Sequence, residues 1–288
     1  MAYRTQAVDL SLEADRYQMA LLRQRTPAER YAIGAGMIRC GKQIALQQER
    51  RRRTTQADKY FLRSILPRFH TLENLMPPLA DNANHYNPDN WIQDPATIAQ
   101  ILHETLGSLS IPYFIAGGVA TIVHGQPRYT LDLDLVVEIA RADLPSLVTA
   151  LEAQRFYCPP GAVEELQAGQ GSIFNVVQMD LALAADISLA GSSDFDQAKM
   201  QRRQLIDFAE TQAWFISPKD LILSKLLWKS DSEKQQRDVL GVMKVQEDLL
   251  DLDYLRSWAD RLGLAELLDR LLQASSYNTD QDNRNNDE

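Results

Sequence analysis

Cysteine is scarce in this chain of 288 residues. Cys40 and Cys158 lie far apart, with no Cys-x-x-Cys pair and no histidine at ligand spacing, so neither a disulfide framework nor a zinc site is suggested. Histidine is nearly as rare, with four in all. No apolar run approaches the ~18 residues of a membrane span, and the opening Met-Ala-Tyr-Arg-Thr-Gln lacks the apolar core of a secretion signal. These absences predict no membrane partner and a cytoplasmic location. No internal repeat is present.

An excess of positive charge is also missing, since the net charge is −9, but the charge is unevenly divided. Residues 1–80 hold 14 Lys plus Arg against 7 Asp plus Glu, whereas the remainder holds 16 against 32. The first part therefore reads as a separate piece, a basic helical domain over residues 1–75. Its helices are Leu10 to Leu22, a long helix opened by Thr26-Pro27-Ala28-Glu29, and Ala57 to Leu66 ending before Pro67. Arg50–Arg53 suits the dipole at a helix C-terminus, or alternatively offers a basic footprint for RNA. Residues 76–95, rich in Pro and Asn, have linker composition. Two amphipathic helices close the ordered part around a stop at Gly263, with Leu255, Trp258, Ala259 and Leu262 at helical spacing. The polar, acidic residues 275–288 read as a disordered tail.

The middle of the chain carries the chemistry. Ile111 to Ala116 reads as a short buried strand running into Gly117-Gly118, and an apolar helix follows that stops at Gly125 before Pro127. Glycines there let the backbone approach a ligand, and free N–H groups at the helix start favour an anion. Leu131-Asp132-Leu133-Asp134-Leu135-Val136-Val137 then reads as a strand with two carboxylates on one face, because strand side chains alternate. Two adjacent anions call for cations, and hard divalent ions usually need further oxygen ligands. Two later β-rich runs read as a hairpin pair, with Asp186 in the second run and Asp180 nearer the connecting turn.

These residues resemble the signature of the nucleotidyltransferases of the DNA polymerase beta superfamily: Gly-Gly, an interval, then Asp-apolar-Asp-apolar. The interval here is Val119 to Leu131. Gly125-Gln-Pro-Arg128-Tyr-Thr130-Leu-Asp132-Leu-Asp134 is closest to the bacterial minimal and abortive-infection type toxin proteins. The resemblance covers roughly residues 96–270 and implies a nucleotidyltransferase-like domain over 96–274. Its expected fold is α/β (α+β), a short mixed sheet flanked by helices.

The resemblance implies a Mg²⁺ (or Mn²⁺) dependent transfer of a nucleotidyl group from an NTP to a hydroxyl on RNA such as tRNA, on a protein or on a small molecule. Asp132, Asp134 and Asp186 are the implied catalytic and metal-holding residues. Gly117, Gly118, Arg128 and Thr130 are expected near phosphate, as is Lys225 in a helix opened by Ser217-Pro218-Lys219-Asp220, whose Ile222, Leu223, Leu226 and Leu227 read as one buried face with Lys225 off its centre. Asp238, after Arg237 at an expected helix start, is read as a structural partner of Lys225 or Arg237. The basic residue that relatives often carry before the third aspartate is replaced here by Ala185. A toxin–antitoxin or phage-defence partner is implied only by this likeness. The competing expectations are a nucleotide- or partner-binding module without turnover and an RNA-binding adaptor built on Arg50–Arg53.

Overall fold

A computed structural model describes residues 4–6, 11–52, 93–209 and 211–275, with side chains at 48–52 and 248 left out. Local signals set many of the element boundaries. Thr26 caps α2 as expected, and Glu29 makes the cap reciprocal, with Glu29 N–H donating to Thr26 Oγ1 at 3.1 Å and Thr26 N–H to the Glu29 carboxylate at 2.8 Å. Ser217 accepts from the Asp220 N–H at 3.3 Å, and Gly263 closes its helix in the left-handed region at φ 70°.

The elements in chain order are α1 (Leu12–Arg23), α2 (Pro27–Arg52), α3 (Ala96–Ser108), β1 (Tyr113–Ile115), α4 (Gly117–His124), β2 (Leu133–Val137), α5 (Leu144–Ala153), β3 (Phe156–Tyr157), α6 (Pro160–Gln167), β4 (Ile173–Gln178), β5 (Leu183–Leu189), α7 (Asp194–Gln201), β6 (Gln204–Phe208), β7 (Thr211–Phe215), α8 (Pro218–Trp228), α9 (Glu233–Gln246), α10 (Leu252–Leu262) and α11 (Ala265–Ser275). The seven strands form one sheet in the order β3-β4-β5-β2-β1-β7-β6. β2 runs parallel to β5 and β1 parallel to β7, and the other pairs are antiparallel. The expected mixed α/β architecture is thus present, and the β6–β7 hairpin lengthens the sheet on the β1 side.

Alternation places the core. Leu133, Leu135 and Val137 of β2 are buried, as are Leu183, Ala185 and Ile187 of β5, while Asp134 and Asp186 face the other way. Phe114, Phe174, Phe208 and Phe215 are fully buried, and each such side chain contributes roughly 1.5–3 kcal/mol of hydrophobic stabilisation.

Helix α2 shares that core: Tyr31, Ala35 and Ile38 belong to it, and the Tyr31 ring lies 4.2 Å from that of Phe208. Gly34 explains how α2 comes so close, since a Cβ there would lie 2.7 Å from Ile122 Cγ2 of α4. Buried Arg30 donates to Val123 O at 2.8 Å, satisfying a carbonyl at the end of α4. Helix α1 is held by a buried pair, Lys244 Nζ to Asp15 Oδ2 at 3.0 Å, and Arg4 N–H donates to Ala274 O at 3.1 Å. The boundary expected at 75/76, the Ala57–Leu66 stretch and the tail beyond Ser275 lie outside the described residues, as do the Arg50–Arg53 side chains.

Candidate active site

The site lies beside α4, where β1 ends and β2, antiparallel to it, begins, with β5 running parallel to β2. Ala116 N–H donates to Asp134 O at 2.9 Å, so the chain leaving β1 is stitched to β2 just before the glycine pair. Gly117 takes φ +56°, which L side chains rarely adopt. A Cβ at Gly117 would stand 1.8 Å from Asp134 Oδ2, and one at Gly118 would stand 2.4 Å from Thr130 Oγ1. The space beside each of these two glycine Cα atoms is therefore taken by Asp134 and Thr130. Gly118 N–H donates to Asp134 Oδ2 at 3.2 Å, so a free amide of α4 already serves an anion of the chain itself.

Asp134 is level with Asp186 across the parallel pair β2/β5, and Asp186 is level with Asn175 across β5/β4. Neighbouring strands run about 4.8 Å apart, which makes Asp134, Asp186 and Asn175 one row on one face. The Asn175 amide donates to Asp186 Oδ1. Asp132 differs from expectation, lying just before β2 instead of inside it. Asp180 is in the turn between β4 and β5 and pairs with Arg155 at 3.1 Å.

Burial raises the Asp134 carboxyl pKa, and the nearby charge of Asp132 raises it further; the Gly118 hydrogen bond and the charges of Lys225 and Arg128 oppose this. Carboxylate oxygens grouped in this way suit a hard divalent cation by donor chemistry. Among the described residues, however, no three His, Cys, Asp or Glu side chains stand together as a ready ion-holding group.

Arg128 and Lys225 meet at one anion. Arg128 Nε lies 2.8 Å from Asp238 Oδ1 and its Nη2 donates to Oδ2 at 2.9 Å, while Lys225 Nζ is 2.8 Å from the same Oδ2. Asp238 thus partners Lys225, one of the two alternatives, but its other cation is Arg128 and not Arg237. It lies in the second turn of α9, because that helix begins at Glu233. Lys225 is buried, and burial lowers its pKa although Asp238 opposes the shift. The reading of α8 with Leu227 on its buried face fails: Leu221, Ile222, Leu223 and Leu226 are buried, and Leu227 is exposed. The helix packs on two sides, so Lys225 is enclosed.

Two further residues bear on the site without a local sequence motif. Asn175 holds Asp186, and Lys42 of α2, buried, donates to Gln93 O at 2.8 Å. Burial lowers the Lys42 ammonium to about 8, against the opposing charges of Asp94 and then Asp132. The glycines of α2 could have pointed to it, because Gly in a helix interior costs about 1 kcal/mol and so marks a face that another element can approach closely.

No protein-family model matches the chain, and no curated sequence is similar to it. Among solved structures it is similar to an antigenic nucleotidyltransferase-like protein from Paracoccidioides brasiliensis, with 20% identity over 62% of this chain and 91% of that one and a TM-score of 0.38. It is similar to ANT(2'')-Ia in complex with adenylyl-2''-tobramycin at 13% identity, covering 58% of this chain and 97% of that one, with a TM-score of 0.40. For the lincomycin-bound lincosamide antibiotic adenylyltransferase LnuA the values are 14%, 52%, 97% and 0.36. No described helix is long and apolar enough to cross a membrane.

Proposed function

We propose that the chain is a nucleotidyltransferase, moving NMP from an NTP to a hydroxyl acceptor on RNA such as tRNA, on a protein or on a small molecule. The observation that carries this reading is the seat of Asp134: its carboxylate occupies the space a side chain at Gly117 would fill, accepts from Gly118, and stands level with Asp186. A half-buried strand carboxylate set against a glycine turn at a helix start is costly, and such costs gather at functional sites.

In this reading Asp132, Asp134 and Asp186 would hold Mg²⁺ or Mn²⁺, which when bound supplies charge neutralisation for a triphosphate and lowers the pKa of an attacking hydroxyl. The residues of the chain do the rest. Gly117 and Gly118 keep the β1–α4 turn narrow and place Asp134. Arg128, Thr130 and Lys225 add donors and positive field on the side where phosphates would lie. Asn175 fixes one oxygen of Asp186 and thereby the direction of the other. A defence or antitoxin partner belongs to the same reading as its wider setting, in the cytoplasm.

A nucleotide-binding module without turnover is the second reading. It is favoured by the absence of a gathered carboxylate triad among the described residues and by Asp238 engaging both Arg128 and Lys225. The two readings separate in one experiment: incubation with each α-³²P NTP and Mg²⁺, together with total RNA, lysate protein and small-molecule extract as acceptors. Label transferred by the wild type and lost in Asp132→Asn/Asp134→Asn supports transfer and names the acceptor class. Nucleotide binding without label supports the module.

A further inference from the structure

The ion cluster of Arg128, Lys225 and Asp238 borders the glycine turn. A Cβ at Gly118 would stand 3.3 Å from Arg128 Nη2 as well as 2.4 Å from Thr130 Oγ1, so both side chains line the first turn of α4. The Gly118 N–H of that same turn serves Asp134. The Lys225 bonds to Gln235 Oε1 at 3.1 Å and to Asp238 Oδ2 at 2.8 Å join α8 to α9. The contact with Arg128 goes beyond that junction and sets the Asp238 carboxylate on the cation that touches the turn.

Asp238 draws on donors that a phosphate chain also needs, without exhausting them. Lys225 Nζ carries three N–H groups, and its acceptors are Gln235 and Asp238. Arg128 Nη2 donates to Asp238 Oδ2 and Nη1 to Tyr129 O, both at 2.9 Å. Its Nε, although 2.8 Å from Asp238 Oδ1, is buried without an aligned acceptor. Donor capacity therefore remains on both cations. Two cations and one carboxylate leave a single net positive charge. Asp238 is 5% exposed and Lys225 7%, so solvent screens their charges little, while the Arg128 side chain keeps 24% exposure and gives the cluster an accessible edge.

We propose that Asp238 is the built-in counter-anion of a phosphate subsite: it holds Arg128 and Lys225 in place and halves the positive charge they present, which sets the affinity for the departing pyrophosphate. This rests on the transferase reading above. In that transfer the acceptor oxygen bonds to the α-phosphorus and loses its proton, and pyrophosphate leaves with the electron pair of the α–β bridge. Asp238 touches the cations and not the reacting atoms, so it is a positioning residue.

The test uses the full chain with inorganic tripolyphosphate and pyrophosphate as probes, affinity being read by calorimetry and folding by circular dichroism. Asp238→Asn is made in the wild type and in Lys225→Met, where a single cation is left beside the new amide. The expected result is that Asp238→Asn binds both probes about tenfold tighter than the wild type, and that Lys225→Met/Asp238→Asn binds them about fivefold tighter than Lys225→Met. Asp143→Asn, which removes an exposed carboxylate in the turn after β2, should stay within about twofold of the wild type. The comparison within Lys225→Met decides the matter: affinity that is unchanged or weaker without Asp238 overturns the inference and leaves the transferase reading standing. An equal gain in Asp143→Asn reduces the effect to net charge and also overturns it. The expected order of affinities in a chain that transfers no label supports the counter-anion while the transferase reading falls.

Discussion

A single methyl group at Gly117 has two independent objections to meet. It would fall 1.8 Å from Asp134 Oδ2, and it would sit on a backbone at φ +56°. Gly117→Ala is expected to destabilise the fold by about 1–3 kcal/mol and to displace Asp134. Gly161→Ala, with no atom within 4 Å and ordinary backbone, is the control. Urea unfolding of both variants measures the difference. His124 supplies the pH dependence. It is buried with Nε2 2.7 Å from Ile216 O, and burial pushes its pKa down to about 4. Because the folded value is below the unfolded one of ~6.5, the unfolded chain binds the extra proton first, so stability is present above ~6.5 and is lost as pH falls toward 4. The loss amounts to about 3 kcal/mol, and His124→Gln should flatten that part of a urea-midpoint profile taken from pH 7 to 4.5.

The helices α8 and α9 are joined by an ion cluster whose anion is the more critical partner. Asp238 is buried with Lys225 and Arg128 around it. Asp238→Asn leaves two cations to one neutral side chain, and breaking a buried pair in this way costs about 3–5 kcal/mol. Lys225→Met combined with Asp238→Leu should recover part of that loss, as denaturant unfolding of the single and double variants will show. Elements such as these also show where sequence is readable. The Thr26/Glu29 cap, the Ser217-Pro218 opening and the Gly263 stop were legible because their partners lie within four residues. The β4–β5 hairpin with Asp186 on its second strand and Asp180 in its turn was legible for the same reason. The Arg128–Asp238 pair spans 110 residues and the Lys42 hydrogen bond to Gln93 spans 51, and no periodicity encodes such distances. The exposure of Leu227 was misread because α8 is covered on two sides, so that a one-stripe pattern did not apply.

Across the molecule, the sheet's mixed direction and the place of Asp186 followed from the family resemblance, and the face that Asp134 takes followed from strand alternation. The extent of the sheet did not, because β6 buries little besides Phe208 and so carries a weak strand pattern. Charge division suggested that the first 75 residues stand apart, yet charge reports on surface and not on packing, and Tyr31, Ala35 and Ile38 lie in the same core as β1 and β7. Met19 and Leu22 of α1 likewise cluster with Val245 of α9. The hydrogen bond from Arg4 to Ala274 gives this arrangement a topological reading. The first and last described segments are neighbours, so the path of the backbone is nearly a ring. A gene that links Ser275 to Arg4 and opens the chain in the exposed turn at Gly169–Gly171 would encode the same tertiary plan from a different starting letter.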